Sequence, residues 1–90
     1  MTIEWLPTAE SDFYGQFVHI AEKNPAAAVE VGDRIMAHIE HLNANPAMGK
    51  PGRRAGTREL VVPRTPFIVV YRLRDDDVQI LRILHGSQQP

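Results

Sequence analysis

Residues 67–84, FIVVYRL-RDDD-VQILRIL, decide the fold. Two runs rich in β-branched and aromatic residues, Phe67–Leu73 and Val78–Leu84, are separated by the polar residues 74–77, which predicts an antiparallel hairpin. A third run, Thr57–Val62, precedes it across Pro63-Arg64-Thr65-Pro66, again short enough for an antiparallel turn. Strand alternation sends Phe67, Val69 and Tyr71 to one face and Ile68 and Val70 to the other. In the last run, Val78, Ile80 and Leu84 are expected to oppose Leu81 and Ile83. Both faces of the hairpin are therefore apolar, a pattern that normally means both are covered.

The first half of the chain reads as helical. Ile3 and Trp5 alternate with Thr2 and Glu4, a short strand cue ended by Pro7. Thr8 is placed to cap a helix whose first turn holds Glu10 and Asp12, where the dipole favours acids. Phe13, Phe17, Ile20 and Ala21 keep helical spacing to about Lys23. Asn24-Pro25 is a cap followed by a proline at the first helical position, so a second helix starts at once. Its stripe is Ala28, Val31, Ile35, Ile39 and Leu42, and it runs to about Ala44 before Asn45-Pro46. Gly15 and Gly32 sit inside these helices, which predicts close backbone approach where the two cross. Residues 47–56, with three glycines and Pro51, predict a mobile basic loop. The expected order is β-α-α-β-β-β over a single domain, 1–90: an α+β fold, a helical hairpin packed on one face of a mainly antiparallel sheet. Two helices cover one face only, so the other apolar face calls for a lid, and a partner protein is the natural one. Ordinary exposed aliphatic surface is the plainer alternative.

Composition narrows the function. At 90 residues, 43% hydrophobic and 23% charged, the chain has the makeup of a globular domain rather than a disordered tail. It has no cysteine, which excludes disulfides, a thiol nucleophile and a cysteine-ligated zinc. The longest apolar run, Phe67–Tyr71, is far below the roughly 20 residues of a spanning helix. The first residues lack a signal-peptide pattern, so a cytoplasmic protein is expected. The net charge of −1 conceals a split. Residues 1–48 hold two cations against seven acids, and residues 49–90 hold eight cations against four acids. A basic half predicts an anionic partner, nucleic acid or an acidic protein segment; a merely solvated basic face is the alternative.

No phosphate-binding glycine loop, nucleophile elbow or His-Glu-x-x-His motif is present. His38 and His41 are three apart, a spacing far commoner for solvated helix histidines than for a metal pair, so no metal and no cofactor are expected. Trp5 and the methionines read as filler, and His19 has no evident partner. The constellation that carries chemistry is Arg58, Tyr71, Arg72, Arg82 and His85, on or beside the late strands. Guanidinium groups match phosphate in bidentate geometry, and His85 suits proton transfer near neutrality. Such a set would support RNA cleavage through a 2′-hydroxyl, with arginines stabilising the phosphorane. Pairing of these arginines with Glu59 and the Asp75–Asp77 turn is the structural alternative.

The segments Gly52–Val62 (GRRAGTRELVV), Phe67–Arg72 (FIVVYR) and Val78–Gly86 (VQILRILHG) resemble the RelE/ParE superfamily of toxins from type II toxin–antitoxin systems. Ile3-Glu4-Trp5, Asn24–Ala28 and the Asn45-Pro46 exit fit the same pattern, so the resemblance covers nearly the whole chain. It implies the β-α-α-β-β-β fold and a cognate antitoxin as partner. RelE-like members cut mRNA on the ribosome, and ParE-like members poison DNA gyrase. RelE-like nucleases tend to carry an arginine early in the middle strand, where this chain has Ile68. They also tend to end near a tyrosine, where this chain has His85-Gly86. The resemblance therefore favours the ParE side: a gyrase inhibitor without catalysis of its own. The alternative is a ribosome-dependent endoribonuclease using Arg58, Arg82, His85 and Tyr71; a second is a degenerate toxin that only binds its antitoxin. Arg53, Arg54, Arg58, Arg72 and Arg82 are the expected target- or phosphate-binding residues. Ile68, Val70, Leu81 and Ile83 are the expected antitoxin contacts.

Overall fold

The hairpin over 67–84 forms as expected and makes the centre of a five-stranded sheet. In a computed structural model describing residues 1–88, the elements are β1 (Thr2–Trp5), α1 (Pro7–Ala21), α2 (Pro25–Glu40), a 3-10 turn (His41–Asn43), β2 (Lys50–Pro51), β3 (Arg58–Val61), β4 (Phe67–Arg74) and β5 (Asp77–His85). The sheet order is β1-β5-β4-β3-β2. β1 runs parallel to β5, and the other pairs are antiparallel.

Two strand details depart from expectation. β2 lies inside the stretch expected to be a mobile loop: Lys50 pairs with Glu59 and Pro51 with Arg58. Proline is tolerated there because β2 is the sheet edge, where one side needs no ladder donor. The second detail is a bulge. Val70 pairs with Arg82 but Tyr71 pairs with Ile80, which leaves Leu81 as the extra residue of β5. One inserted residue exchanges the faces of everything beyond it. Ile83, expected opposite Val78 and Ile80, joins them in the core at 1% exposure, opposite Val69. Leu84 moves to the other face, opposite Ile68.

The helices cover the face of Phe67, Val69 and Tyr71. Ala9, Ile35, Ile39 and Leu42 meet Leu60, Val62, Val78, Ile80 and Ile83 there in one buried cluster. Asn24 caps α2 as read, its side chain accepting from the Ala27 amide at 3.1 Å. Thr8 does not cap α1. The helix starts two residues earlier, with Leu6 at the cap and Pro7 as its first residue, without a side-chain cap. Gly15 faces open space, so close packing does not account for it, and a Cβ added at Gly32 would meet Phe13 and Phe17 only at ordinary contact distance.

Thr8 and its neighbours instead complete the sheet. β5 outruns β1, which ends opposite Ile80. Beyond that point the bare edge of β5 is served by α1. The Leu6 amide donates to the Ile80 carbonyl (3.0 Å) and the Thr8 hydroxyl to the Leu81 carbonyl (2.9 Å). Asp12 accepts the Ile83 amide at 3.0 Å. A bulge and an exposed strand edge both leave backbone groups without partners, and these three residues supply them.

Among the described residues, no helix is long and apolar enough to cross a membrane.

Candidate functional site

The helix-free face is less naked than the hairpin pattern implies. Val70 and Leu84 lie on it yet are 2% and 1% exposed, while Ile68 and Leu81 are half-buried. Cover comes from the two segments flanking the strands. The Arg53 amide and its Nε both donate to the Glu59 carboxylate (2.9 and 3.1 Å), and Arg53 Nη1 reaches the Gln88 carbonyl at 3.3 Å. Residues 50–53, Glu59, Ile68 and Gly86 line an open hollow of about 440 Å³. Of the four expected antitoxin contacts, Ile83 is thus in the opposite core and Val70 is already shielded. The chain supplies part of the lid that the pattern assigned wholly to a partner.

Glu59 is the one buried charged side chain among the described residues. The Arg53 backbone amide holds its carboxyl below the usual range, with burial opposing. The hydrogen bonds favour the charged form, so the stability they bring is present above the ordinary glutamate pKa and is lost as pH falls below it. Acid is therefore expected to loosen residues 50–56 before the core melts. Hydrogen exchange of the Arg53 and Gly52 amides, followed below pH 4.5, tests this. Unchanged protection there, or loss only together with β4 amides, would contradict it.

The residues of the expected nuclease set do not converge. Tyr71 points into the helix-side core, fully buried. Its hydroxyl donates to the Pro46 carbonyl at 2.7 Å and accepts the Gly49 amide at 2.8 Å. Burial raises its pKa, so the phenol stays neutral. Arg58, its cross-strand partner, donates from Nη1 to the Gly49 carbonyl (2.7 Å) and the Ala47 carbonyl (3.3 Å). These two are brought together, but around the Pro46–Gly49 turn, which they pin to the sheet. A Cβ at residue 49 would stand 2.7 Å from the Tyr71 ring, so glycine is required for that approach.

Arg82 lies on the other face, its Nε and Nη2 donating to Asp12 at 2.7 and 3.1 Å. That bond raises the already high guanidinium pKa. Arg72 Nε donates to Gln79 Oε1 (2.7 Å), whose amide donates to Glu4 (2.9 Å) in a string across three strands. His85 is exposed at the far end of β5. Its ring stands edge-on to Phe67 at 5.9 Å, and its Nδ1 is 3.0 Å from the Ser87 hydroxyl. Phe67, its register partner, is four residues from Tyr71, about 13 Å along the strand. Arg53 and Arg54 share the β2–β3 loop, where the Arg54 carbonyl accepts the Thr57 hydroxyl at 2.7 Å. His38 and His41 stand 5.6 Å apart, and the His38 Nδ1 faces the Arg34 carbonyl. No cluster of three or more potential metal ligands exists among the described residues.

Sequence reasoning missed Asp12, Thr8 and Gly49 as organisers of this region, and it matched Glu59 with Arg58, Arg72 and Arg82 rather than with Arg53. Their partners lie between 6 and 73 residues away, and no local pattern encodes those pairings.

The profile of the ParE toxin of type II toxin–antitoxin systems (parDE) matches residues 3–90. The chain belongs to the ParE toxin family. Among curated relatives of this ParE-family toxin is a Sinorhizobium fredii protein with the provisional name toxin Y4kP. It is 42% identical over 71 residues, 79% of this chain and 73% of that protein. Toxin RelE1 of Caulobacter vibrioides is 33% identical over 85 residues, 90% and 88% of the two chains. Among solved structures, a chain of the chromosomal ParDE toxin–antitoxin system of P. aeruginosa superposes with a TM-score of 0.86 at 28% identity. It covers 94% of this toxin and 95% of its own length. A chain of the RelBE2 toxin–antitoxin complex of Mycobacterium tuberculosis gives 0.61 at 26% identity, covering 97% and 92%. The superfamily and the α+β fold expected from the sequence both stand.

Proposed function

We propose that this ParE-family toxin acts by binding a target protein, DNA gyrase, rather than by cutting RNA, and that a cognate antitoxin neutralises it. The observation that carries this reading is the engagement of the arginines and tyrosine a nuclease would need. Tyr71 and Arg58 hold the Pro46–Gly49 turn, and Arg82 holds Asp12. A phosphate would have to break these bonds before it could be gripped, at a cost set by stranded backbone and carboxylate groups. Ile68, where nuclease relatives tend to carry arginine, is half-buried in the hollow beside Arg53.

The structural neighbours are named as toxin–antitoxin assemblies, which supports an antitoxin partner here. Its docking surface is the helix-free face around Ile68 and Leu81, flanked by Arg53, Arg54 and Arg72. An acidic segment, disordered until bound, suits that surface. Charge would mainly speed association while apolar contacts hold the complex.

Purified toxin is expected to inhibit gyrase supercoiling, and induction without the antitoxin is expected to arrest growth, with recovery on antitoxin co-expression. Full supercoiling in excess toxin, together with arrest in cells, would overturn gyrase as target. Normal growth at verified soluble expression would leave a degenerate toxin that only binds its antitoxin.

A further inference from the structure

The exposed apolar surface is concentrated on the helices, away from the basic strands. Four of the seven exposed large apolar side chains among the described residues, Tyr14, Val18, Val29 and Met36, belong to α1 and α2. Where β1 ends, Trp5, Glu10, Phe13 and Met36 line an open cleft of about 370 Å³. Trp5 and Phe13 meet edge to face at 5.5 Å and form one wall. Met36, 39% exposed, forms part of the other, and a flexible thioether at a cleft mouth adapts to varied apolar anchors.

The rim is acidic. Glu10 lines the cleft, while Asp33 and Glu40, three residues before and four after Met36, share its helical stripe and are exposed. None of the three forms an ion pair among the described residues. The two cations of this half are elsewhere: Arg34 is bonded to Glu30 at 2.7 Å, and Lys23 follows the far end of α1.

The geometry points to a second docking surface on the helical hairpin, for a partner-protein segment that presents a large apolar side chain flanked by lysine or arginine. Charge complementarity sets the occupant. An acidic antitoxin segment would be repelled from a rim of Glu10, Asp33 and Glu40, and it is matched instead by the basic sheet half. The toxin thus carries two faces of opposite sign, and the cleft stays open to a basic partner independently of the antitoxin.

Trp5 is the only tryptophan, so its fluorescence reports on the cleft directly. The probes are two synthetic amphipathic helical peptides of one pattern, leucine–lysine and leucine–glutamate, titrated into the full chain at moderate salt. The leucine–lysine peptide is expected to give a saturable blue shift of Trp5 emission, and the leucine–glutamate peptide none. Met36→Lys is expected to weaken binding about tenfold or more, equivalent to at least about 1.4 kcal/mol. Val61→Lys adds the same charge at an exposed position of β3 and is expected to change binding little. Both sites are exposed, so circular dichroism should show both variants folded. Equal response to the two peptides, equal losses in the two variants, or binding without a Trp5 shift would each overturn the proposal.

Discussion

Tyr71→Phe is expected to lower the unfolding free energy by about 1–3 kcal/mol while leaving toxicity intact wherever the variant is folded. The phenol is fully buried and its oxygen serves two backbone groups, the Gly49 amide and the Pro46 carbonyl. Phenylalanine fills the same volume but leaves both unpaired, so the loss is that of stranded polar groups rather than of packing. Tyr71→Ala adds a cavity beneath the helices and is expected to cost about 3–5 kcal/mol, a large share of the stability of so small a domain. Chemical denaturation of both variants, with growth assays at a temperature where each is folded, checks the pair. Loss of toxicity in Tyr71→Phe at unchanged stability would make the hydroxyl catalytic and reverse its assignment.

Asp12→Ala is expected to cost about 2–3 kcal/mol, more than Arg82→Ala. Asp12 accepts two bonds from the Arg82 guanidinium and one from the Ile83 amide at the bulge. Arg82 is partly solvated, so the ion pair alone is worth little. The stranded Ile83 amide sets the difference, because removing Arg82 leaves Asp12 still serving it. Asp12→Asn keeps an acceptor for that amide and is expected to fall between the two. Equal losses in Asp12→Ala and Arg82→Ala would show that the ion pair, not the repair of the strand edge, matters here.

The antiparallel β3-β4-β5 arrangement was legible because the runs within residues 67–84 are rich in β-branched and aromatic residues and the turn between them is polar. Asn24-Pro25 was legible because its cap and its fixed φ act locally. The bulge at Leu81 was not, since no glycine marks it, and that single residue exchanged the faces of Ile83 and Leu84. The expected site suffered from the same blindness to distance. Arg82 and Asp12 are 70 residues apart, and Tyr71 and Pro46 are 25 apart, so the residue types suggested phosphate chemistry while the partners that occupy them were invisible. Glu59 is the partial exception: it was recognised as an arginine partner, though for the wrong arginines. Pairing with Glu59 was the open alternative for Arg58, Arg72 and Arg82, and Arg53 makes it instead.

The proposed mechanism turns on whether RNA is cut. Mapping the 5′ ends of cellular mRNA after toxin induction, in the wild type and in His85→Ala and Arg82→Ala, asks that directly. The expected result is growth arrest with no new codon-positioned ends in any of the three. Ends that appear at translated codons in the wild type and vanish in His85→Ala, with the variant folded, would make the toxin a ribosome-dependent nuclease and contradict the binding mechanism.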